Sequence, residues 1–201
     1  MATATQADRL LRYAREGGIV RARDLRQFQI PTAVLTRLVR QGRLVRRSRG
    51  VYTVPEHEAT EHTDLAAVAK RAPTAVICLL SALRFHELTT QNPFEVWLMI
   101  DRKARRPAIE HPSVRVIRAS GDALTEGVVV DEIEGVQVRV TNPAKTVADC
   151  FRYRSKVGTD VAIEALRDCW RQRKATMDEI YRFAKIDQVA NLMRPYMESL
   201  A

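Results

Sequence analysis

The sequence predicts an α+β protein made of two parts, and its charge distribution and residue patterns support this. Residues 1–56 hold twelve arginines and four acids, whereas residues 57–201 hold 21 basic and 20 acidic residues. Helical periodicity dominates both ends of the chain, and strand-like apolar runs lie between them. We therefore predict a basic domain over residues 1–56. A larger domain over 57–201 is predicted to combine a small, mostly antiparallel sheet with a helical C-terminal section.

Composition is that of an ordinary globular protein. The chain is 46% hydrophobic and 28% charged, which argues against wholesale disorder. Its longest apolar run, residues 75–83, is too short for a membrane span of about 20 residues. Residues 1–9 lack the basic-then-apolar order of a secretory signal, so we expect a cytoplasmic protein. Cys78, Cys150 and Cys169 are odd in number and widely spaced, which favours reduced, buried thiols over disulfides or a metal site.

Three helices are predicted in the N-terminal domain, over residues 5–15, 22–28 and 31–41. Thr5 is a candidate N-cap, and Pro31 suits the first turn of the third helix. Glycines follow the first and third segments, as they do at many helix ends. Ile19 and Val20 are predicted to form a short extended link between the first two helices.

The third helix is amphipathic. Its apolar side carries Val34, Leu35, Leu38 and Val39. Its other side carries small side chains and hydrogen-bond donors: Thr32, Ala33, Thr36, Arg37 and Arg40. One face therefore suits a protein core, and the opposite face suits a surface rich in donors.

A basic hairpin is predicted directly after the third helix. Strand-like runs at 44–47 and 51–54 flank Ser48-Arg49-Gly50, where glycine can supply the positive φ of a tight turn. Arginines crowd onto this hairpin: Arg43, Arg46, Arg47 and Arg49. Residues 27–55 contain six arginines and no carboxylate, whereas a merely solvated face normally mixes both signs of charge.

Three helices followed by a basic hairpin is the element order of a winged helix-turn-helix, whose third helix enters the major groove of DNA. Arginine can donate two hydrogen bonds to a guanine edge, and threonine can contact a base. The predicted base-reading residues are Thr32, Ala33, Thr36, Arg37 and Arg40. The predicted contacts to the DNA backbone are Arg43, Arg46, Arg47, Ser48 and Arg49, with Arg21, Arg23 and Arg26 as further candidates. The alternative is a winged helix that contacts another protein.

The larger domain is predicted to place strands between helical sections. Helices are predicted over 64–71 and from Pro73 to Glu87. Strands follow over 94–100, 114–117, 128–133 and 136–140, and the last two are joined by a tight turn at Glu134-Gly135. Asn142-Pro143 is predicted to cap the next helix. The remaining helices are predicted over 144–154, 161–172, 177–184 and 188–200.

No catalytic constellation is found, and neither a cofactor nor a metal is predicted. Glu56, His57, Glu58, Glu61 and His62 lack the spacing of a helical zinc motif, so a solvated linker is the better interpretation. His86 is interpreted as a hydrogen-bonded residue at a helix end. Asp101-Arg102-Lys103 weakly resembles the D-x-K element of a metal-dependent nuclease. A second basic cluster, Arg102, Lys103, Arg105 and Arg106, is interpreted either as a nucleic-acid contact or, more simply, as a solvated loop.

Four segments together resemble one known family. They are residues 30–55 (IPTAVLTRLVRQGRLVRRSRGVYTVP), 78–93 (CLLSALRFHELTTQNP), 133–154 (IEGVQVRVTNPAKTVADCFRYR) and 158–169 (GTDVAIEALRDC). In these the chain resembles the AbiEi-type antitoxins of type IV toxin-antitoxin systems, many of which are described as transcriptional regulators. Gln29 and Glu87 depart from the family pattern, which often has glycine at both positions.

The resemblance implies an N-terminal winged helix that represses its own operon at inverted repeats in the promoter. It also implies a C-terminal domain that counters a nucleotidyltransferase-like toxin without a stable complex, in phage defence. The resulting hypothesis is a non-enzymatic, sequence-specific DNA-binding repressor and antitoxin. Two alternatives are an orphan regulator without a toxin and a metal-dependent nuclease that uses Asp101 and Lys103 with a DNA-targeting wing.

Overall fold

The protein is described by a computed structural model that covers residues 5–16, 20–26, 28–48, 50–55, 63–91, 93, 95–109 and 112–200. For Glu16, Arg21, Arg23, Asp24, Arg47, Ser48 and Val51 the backbone alone is described. The chain forms two compact units. The first comprises residues 1–73, 108–112 and 132–138, and the second comprises 74–107, 113–131 and 139–201. The predicted boundary at residues 56 and 57 lies outside the described residues and stays a prediction.

The first unit combines helices with a small antiparallel sheet. Its elements up to residue 73 are α1 (Gln6–Glu16), β1 (Val20–Arg21), a 3₁₀ helix (Ala22–Arg26), α2 (Thr32–Arg40), β2 (Val45–Ser48), β3 (Val51–Thr53) and α3 (Thr63–Arg71). The sheet order is β1-β3-β2. Val20 of the predicted extended link thus belongs to a strand and pairs with Tyr52, whereas Ile19 lies outside the described residues.

The predicted second helix is shorter and tighter than expected. Residues 22–26 form a single 3₁₀ segment rather than an α-helix over 22–28. Its end is closed by two backbone hydrogen bonds, from Gln29 N to Arg26 O and from Ile30 N to Leu25 O. This pairing is that of a Schellman motif, and it places Gln29 at a φ of 54°. The turn before α2 therefore begins earlier than the apolar spacing of Leu25 and Phe28 indicated.

The core of the first unit holds α1 and α2 in place. Leu10, Leu11 and Ala14 of α1 are buried in one cluster with Leu35 and Leu38 of α2. Fully burying a side chain of this kind contributes roughly 1.5–3 kcal/mol. At the start of α1, the hydroxyl of Thr5 accepts a hydrogen bond from Asp8 N at 3.2 Å, so the predicted cap is confirmed.

The second unit contains most of the larger sheet and the remaining helices. The elements after α3 are β4 (Val76–Ile77), α4 (Leu79–Phe85), β5 (Val96–Asp101), β6 (Val114–Ala119), α5 (Asp122–Thr125), β7 (Val128–Ile133) and β8 (Val136–Thr141). The helices that follow are α6 (Pro143–Arg152), α7 (Arg154–Val157), α8 (Thr159–Arg171), α9 (Met177–Ile186) and α10 (Ala190–Glu198). The predicted α+β class is confirmed.

The larger sheet is mixed, which corrects the expectation of a mostly antiparallel one. Its order is β6-β5-β4-β8-β7. β4 runs antiparallel to β5, but it pairs in parallel with β8, and β5 pairs in parallel with β6. Parallel neighbours need a crossover of about a dozen residues or more. The crossover between β5 and β6 spans residues 102–113, of which the described residues, 102–109 and 112–113, contain no helix, so the element order alone did not reveal it.

The apolar run after Pro73 was wrongly predicted as one helix. Val76 and Ile77 instead form β4, and the helix α4 begins at Leu79. Both β4 residues are buried, with neighbouring strands on either side. A strand buried on both faces is as uniformly apolar as a buried helix, so periodicity does not distinguish the two.

Several local predictions agree with the structure. Glu134 and Gly135 both have positive φ, 53° and 70°, at the turn between β7 and β8. Asn142 caps α6 by accepting a hydrogen bond from Lys145 N at 2.8 Å. The three cysteines are buried and unpaired. Burial raises the pKa of the Cys78 and Cys150 thiols well above their usual value and that of Cys169 to about 11, so all three stay protonated at neutral pH.

Candidate nucleic-acid interface

The outer face of α2 is a continuous donor-bearing surface. All five predicted base-reading residues on it are exposed: Thr32, Ala33, Thr36, Arg37 and Arg40. The opposite face is buried through Val34, Leu35 and Leu38. Because the buried side chains fix the rotation of the helix, they also fix the direction in which Thr36, Arg37 and Arg40 project.

The basic hairpin lies directly after α2. Arg46 is exposed on β2 and pairs in register with Tyr52 of β3. The register shifts between Arg46 and Ser48, so Arg47 occupies a β-bulge, a feature that bends and twists a strand. The side chains of Arg47 and Ser48, and the whole of Arg49, lie outside the described part of the chain.

Arg43 does not stand alone, because α1 brings a carboxylate to it. Its guanidinium lies 3.9 Å from Asp8 Oδ1, with both side chains about half exposed. Hydrogen bonds from Thr5 chiefly, and then the charges of Arg43 and Arg12, lower the pKa of Asp8, which is therefore ionised at neutral pH. The absence of acids over residues 27–55 is thus offset in part by an acid from elsewhere in the sequence.

Sequence analysis missed two further arginines beside this pair. Arg12 and Arg15 of α1 line a shallow depression of about 310 Å³ together with Asp8, Leu11 and Arg43. Three guanidinium groups and one carboxylate leave an excess positive charge there. Helical spacing could have found them, since Arg12 and Arg15 are i, i+3 neighbours on α1 and face the same way.

The arginines before α2 are only partly described. Arg26 is exposed at the end of the 3₁₀ helix. Arg21 belongs to β1, where it pairs with Val51 through the backbone. The side chains of Arg21 and Arg23 lie outside the described residues, so their assignment as backbone contacts stays a prediction.

In the second unit, His86 and Asp101 have structural partners. His86 Nε2 lies 2.6 Å from the carbonyl oxygen of Thr141. Burial chiefly lowers the pKa of His86, and the nearby Lys174 acts in the same direction. Asp101 Oδ1 accepts a hydrogen bond from Lys103 N at 2.8 Å, the geometry of an Asx turn. The acidic linker, residues 56–62, lies outside the described residues.

The described residues contain neither a candidate metal site nor a candidate membrane span. Within them, no group of three or more His, Cys, Asp or Glu side chains is placed to hold a metal ion. None of the helices in the described ranges is long and apolar enough to cross a membrane.

Comparison with known families bears on the first unit. Residues 8–55 match the family described as "Transcriptional regulator, AbiEi antitoxin". The predicted resemblance is therefore confirmed over this segment, which contains α1, α2 and the basic hairpin. The resemblance of residues 78–93, 133–154 and 158–169 lies beyond the match and stays a prediction. No curated protein matches the chain.

Comparison with solved structures bears on the whole fold. The chain is similar to the crystal structure of the RV2827C protein from Mycobacterium tuberculosis, with a TM-score of 0.66 and 15% sequence identity. The match covers 95% of this chain and 76% of the other. At this identity the similarity concerns the fold alone.

Proposed function

We propose, on the premise that residues 8–55 match a family of transcriptional regulators and antitoxins, that this protein binds DNA through a winged helix-turn-helix. In this proposal α2 enters the major groove and the β2–β3 hairpin lies along the flanking backbone. The observation that carries the proposal is that α2 is amphipathic. Its apolar face is buried in the core while Thr36, Arg37 and Arg40 project outward.

The two elements have different tasks in this proposal. Arg37 and Arg40 offer paired donors to base edges, and Thr32, Ala33 and Thr36 are small enough to let the helix approach the bases. Arg43, Arg46, Arg47 and Arg49 neutralise phosphates, which gives affinity without sequence preference. Arg12 and Arg15 extend the same basic surface along α1.

The biological role follows the family. We propose a cytoplasmic, non-enzymatic repressor that binds inverted repeats in its own promoter and acts as the antitoxin of a type IV toxin-antitoxin operon. Its second unit would counter a nucleotidyltransferase-like toxin without a stable complex. An orphan regulator would share the DNA-binding properties and differ in lacking such a toxin gene next to its own.

Salt titrations of DNA binding test the base-reading assignment. Arg37→Ala and Arg40→Ala are each expected to weaken binding to the selected target by about 1–3 kcal/mol and to relax base preference. Arg46→Ala and Arg47→Ala are expected to weaken binding to all sequences and to lower the salt slope by about 1. If Arg37→Ala loses equal affinity for target and random duplexes, α2 does not read bases.

The antitoxin assignment needs its own experiment. Co-expression of the full chain with the neighbouring toxin is expected to restore growth. Full-chain variants with Arg37→Ala and Arg40→Ala are expected to keep that rescue when their expression is held constant. If those variants no longer restore growth at equal expression, DNA binding and toxin neutralisation do not reside in separate units.

A further inference from the structure

The second unit carries its own cationic surface, centred on the loop between β5 and β6. Arg102, Lys103 and Arg105 are exposed there, and we call these three residues the cationic loop. None of them forms an ion pair with any residue that the structure describes. The carboxylate of Asp101, the residue before the loop, accepts a hydrogen bond from the backbone N–H of Lys103.

An arginine from the next strand clamps the start of the loop, residues 101–104. Arg118 Nη1 donates hydrogen bonds to the carbonyl oxygens of Asp101, Arg102 and Ala104, at 3.3, 2.8 and 2.8 Å. Backbone hydrogen bonds from Arg102 N to Ala119 O and from Ala104 N to Asp101 O close the same turn. Since the backbone of residues 101–104 is already held by these bonds, the cations there bind an anion at a smaller entropic cost than cations on a free loop.

A second basic segment lies next to this clamp. The hydroxyl of Tyr153 donates to Arg118 O at 3.4 Å, and Tyr153 is followed in the sequence by Arg154 and Lys156. Arg154 and Lys156 are exposed, and neither has a described carboxylate partner. The segment after Tyr153 therefore adds two exposed cations beside the residue that clamps the loop.

The chemistry of this surface selects the class of ligand. Protein interfaces have an apolar or aromatic centre, and single-stranded nucleic acid binds where exposed aromatic rings stack on bases. The large hydrophobic side chains exposed within the described residues are Val129, Val130 and Trp170, and none belongs to these segments. Exposed cations without stacking rings instead match the closely spaced phosphates of a duplex.

We propose that the cationic loop, flanked by Arg154 and Lys156, contacts the phosphate backbone of duplex DNA without reading its sequence. The inference rests on the proposed function for the identity of the ligand and adds a second DNA-binding surface to it. Under this proposal Arg118 is a positioning residue, because it orders the loop without contributing a free cation.

The test is a salt titration of the full-length protein on a random-sequence DNA duplex. The loop variant is Arg102→Gln/Lys103→Gln/Arg105→Gln. The control variant, Arg167→Gln/Lys185→Gln/Arg194→Gln, removes the same charge from exposed positions elsewhere in the second unit. The loop variant is expected to lower the salt slope by about 2–3, at roughly 0.9 per phosphate contact, and the control by less than about 1. Equal slopes for the two variants overturn the inference.

Further measurements test the role of Arg118, distinguish the cationic loop from the first unit and identify the ligand. Arg118→Met keeps all three loop cations and is expected to raise Kd for DNA several-fold with little change in the salt slope. An unchanged Kd would contradict the positioning role of Arg118.

Arg37→Gln/Arg40→Gln tests the contribution of the first unit. If that variant alters target binding while the loop variant behaves as the control, the proposed function stands and this inference fails. Duplex RNA of the same length identifies the ligand, because a loop effect on RNA alone contradicts a DNA contact.

Discussion

Lys145 Nζ lies 2.7 Å from Asp149 Oδ1, and neither side chain is accessible to solvent. Asp187 Oδ1 lies 3.6 Å from the same ammonium and 3.1 Å from Arg152 Nη1. Four charged groups thus meet between α6 and the end of α9. Burial raises the pKa of Asp149 well above its usual value despite the ion pair with Lys145, and Asp187 adds to the shift.

Removal of the buried ammonium is expected to be strongly destabilising. Lys145→Met should lower the free energy of unfolding by about 3–5 kcal/mol, because it leaves two carboxyl groups in the core and, among the described residues, only the Arg152 guanidinium pairs with them. The loss should shrink at acidic pH, where Asp149 binds a proton. Urea unfolding measures both effects. The control, Lys145→Met/Asp149→Asn, should lose less than the single variant; a greater loss would show that the charge balance is not the cause.

The departures from glycine at Gln29 and Glu87 have a structural meaning. Both residues have positive φ, 54° and 57°, and both stand at the end of a Schellman motif, where glycine is favoured. Gln29→Gly is expected to stabilise the protein by up to about 1 kcal/mol. Gln41→Gly is the matched control, because Gln41 is also exposed but has a φ of −78°. That control should destabilise by about 0.5–1 kcal/mol. Thermal unfolding of both variants measures the change in Tm, and equal changes in Tm would contradict strain at Gln29.

His86 should make stability depend on pH. Burial lowers its pKa from 6.5, so the unfolded chain binds a proton more readily than the folded one. The stabilising contribution of neutral His86 is therefore fully present above pH 6.5, and it is lost as the pH falls from there through the pKa of the folded state. The control is His86→Gln, which keeps a donor for Thr141 O and does not titrate. The free energy of unfolding of the His86→Gln variant should fall less between neutral and mildly acidic pH than that of the unaltered protein. Parallel curves for the two proteins would exclude this role.

Gly127 lies where any side chain would clash with its neighbours. Its φ is +68°, and a Cβ would lie 2.7 Å from the ring of Phe183 and 3.0 Å from Cβ of Lys145. Gly127→Ala is expected to cost roughly 1–3 kcal/mol from overpacking, in addition to the backbone strain. Phe183→Leu removes ring atoms from that space. In a double-mutant cycle the two changes should therefore be less damaging together than the sum of the separate effects. Additive losses would mean that the ring is not the obstacle.

Sequence patterns predicted the features that depend on near neighbours. The two faces of α2, the cap at Asn142 and the Glu134-Gly135 turn each involve residues a few positions apart. β4 was missed because Val76 and Ile77 are buried on both sides, which removes the alternation that marks a strand. The parallel pairing of β5 with β6 was missed because β6 alternates buried and more exposed residues, as an antiparallel strand does, although β5 is a continuous apolar run.

In the candidate nucleic-acid interface, too, sequence patterns predicted the local features and missed the contacts between distant segments. Residues within the α2 face follow from helical geometry. The pairing of Arg43 with Asp8 and the clamp of Arg118 on residues 101–104 do not, because each joins segments that are separated along the chain. Such pairings are decided by tertiary packing, which a single sequence does not display.

The two residues of β4 also set how the larger sheet can open. Val76 and Ile77 pair with Met99 and Leu98 of β5, and Ile77 pairs with Val140 of β8. The ladder that joins the β5–β6 half of the sheet to the β7–β8 half is thus very short. Native-state hydrogen exchange should resolve the amides of these halves as two cooperative blocks, with exchange at this seam faster than within either block.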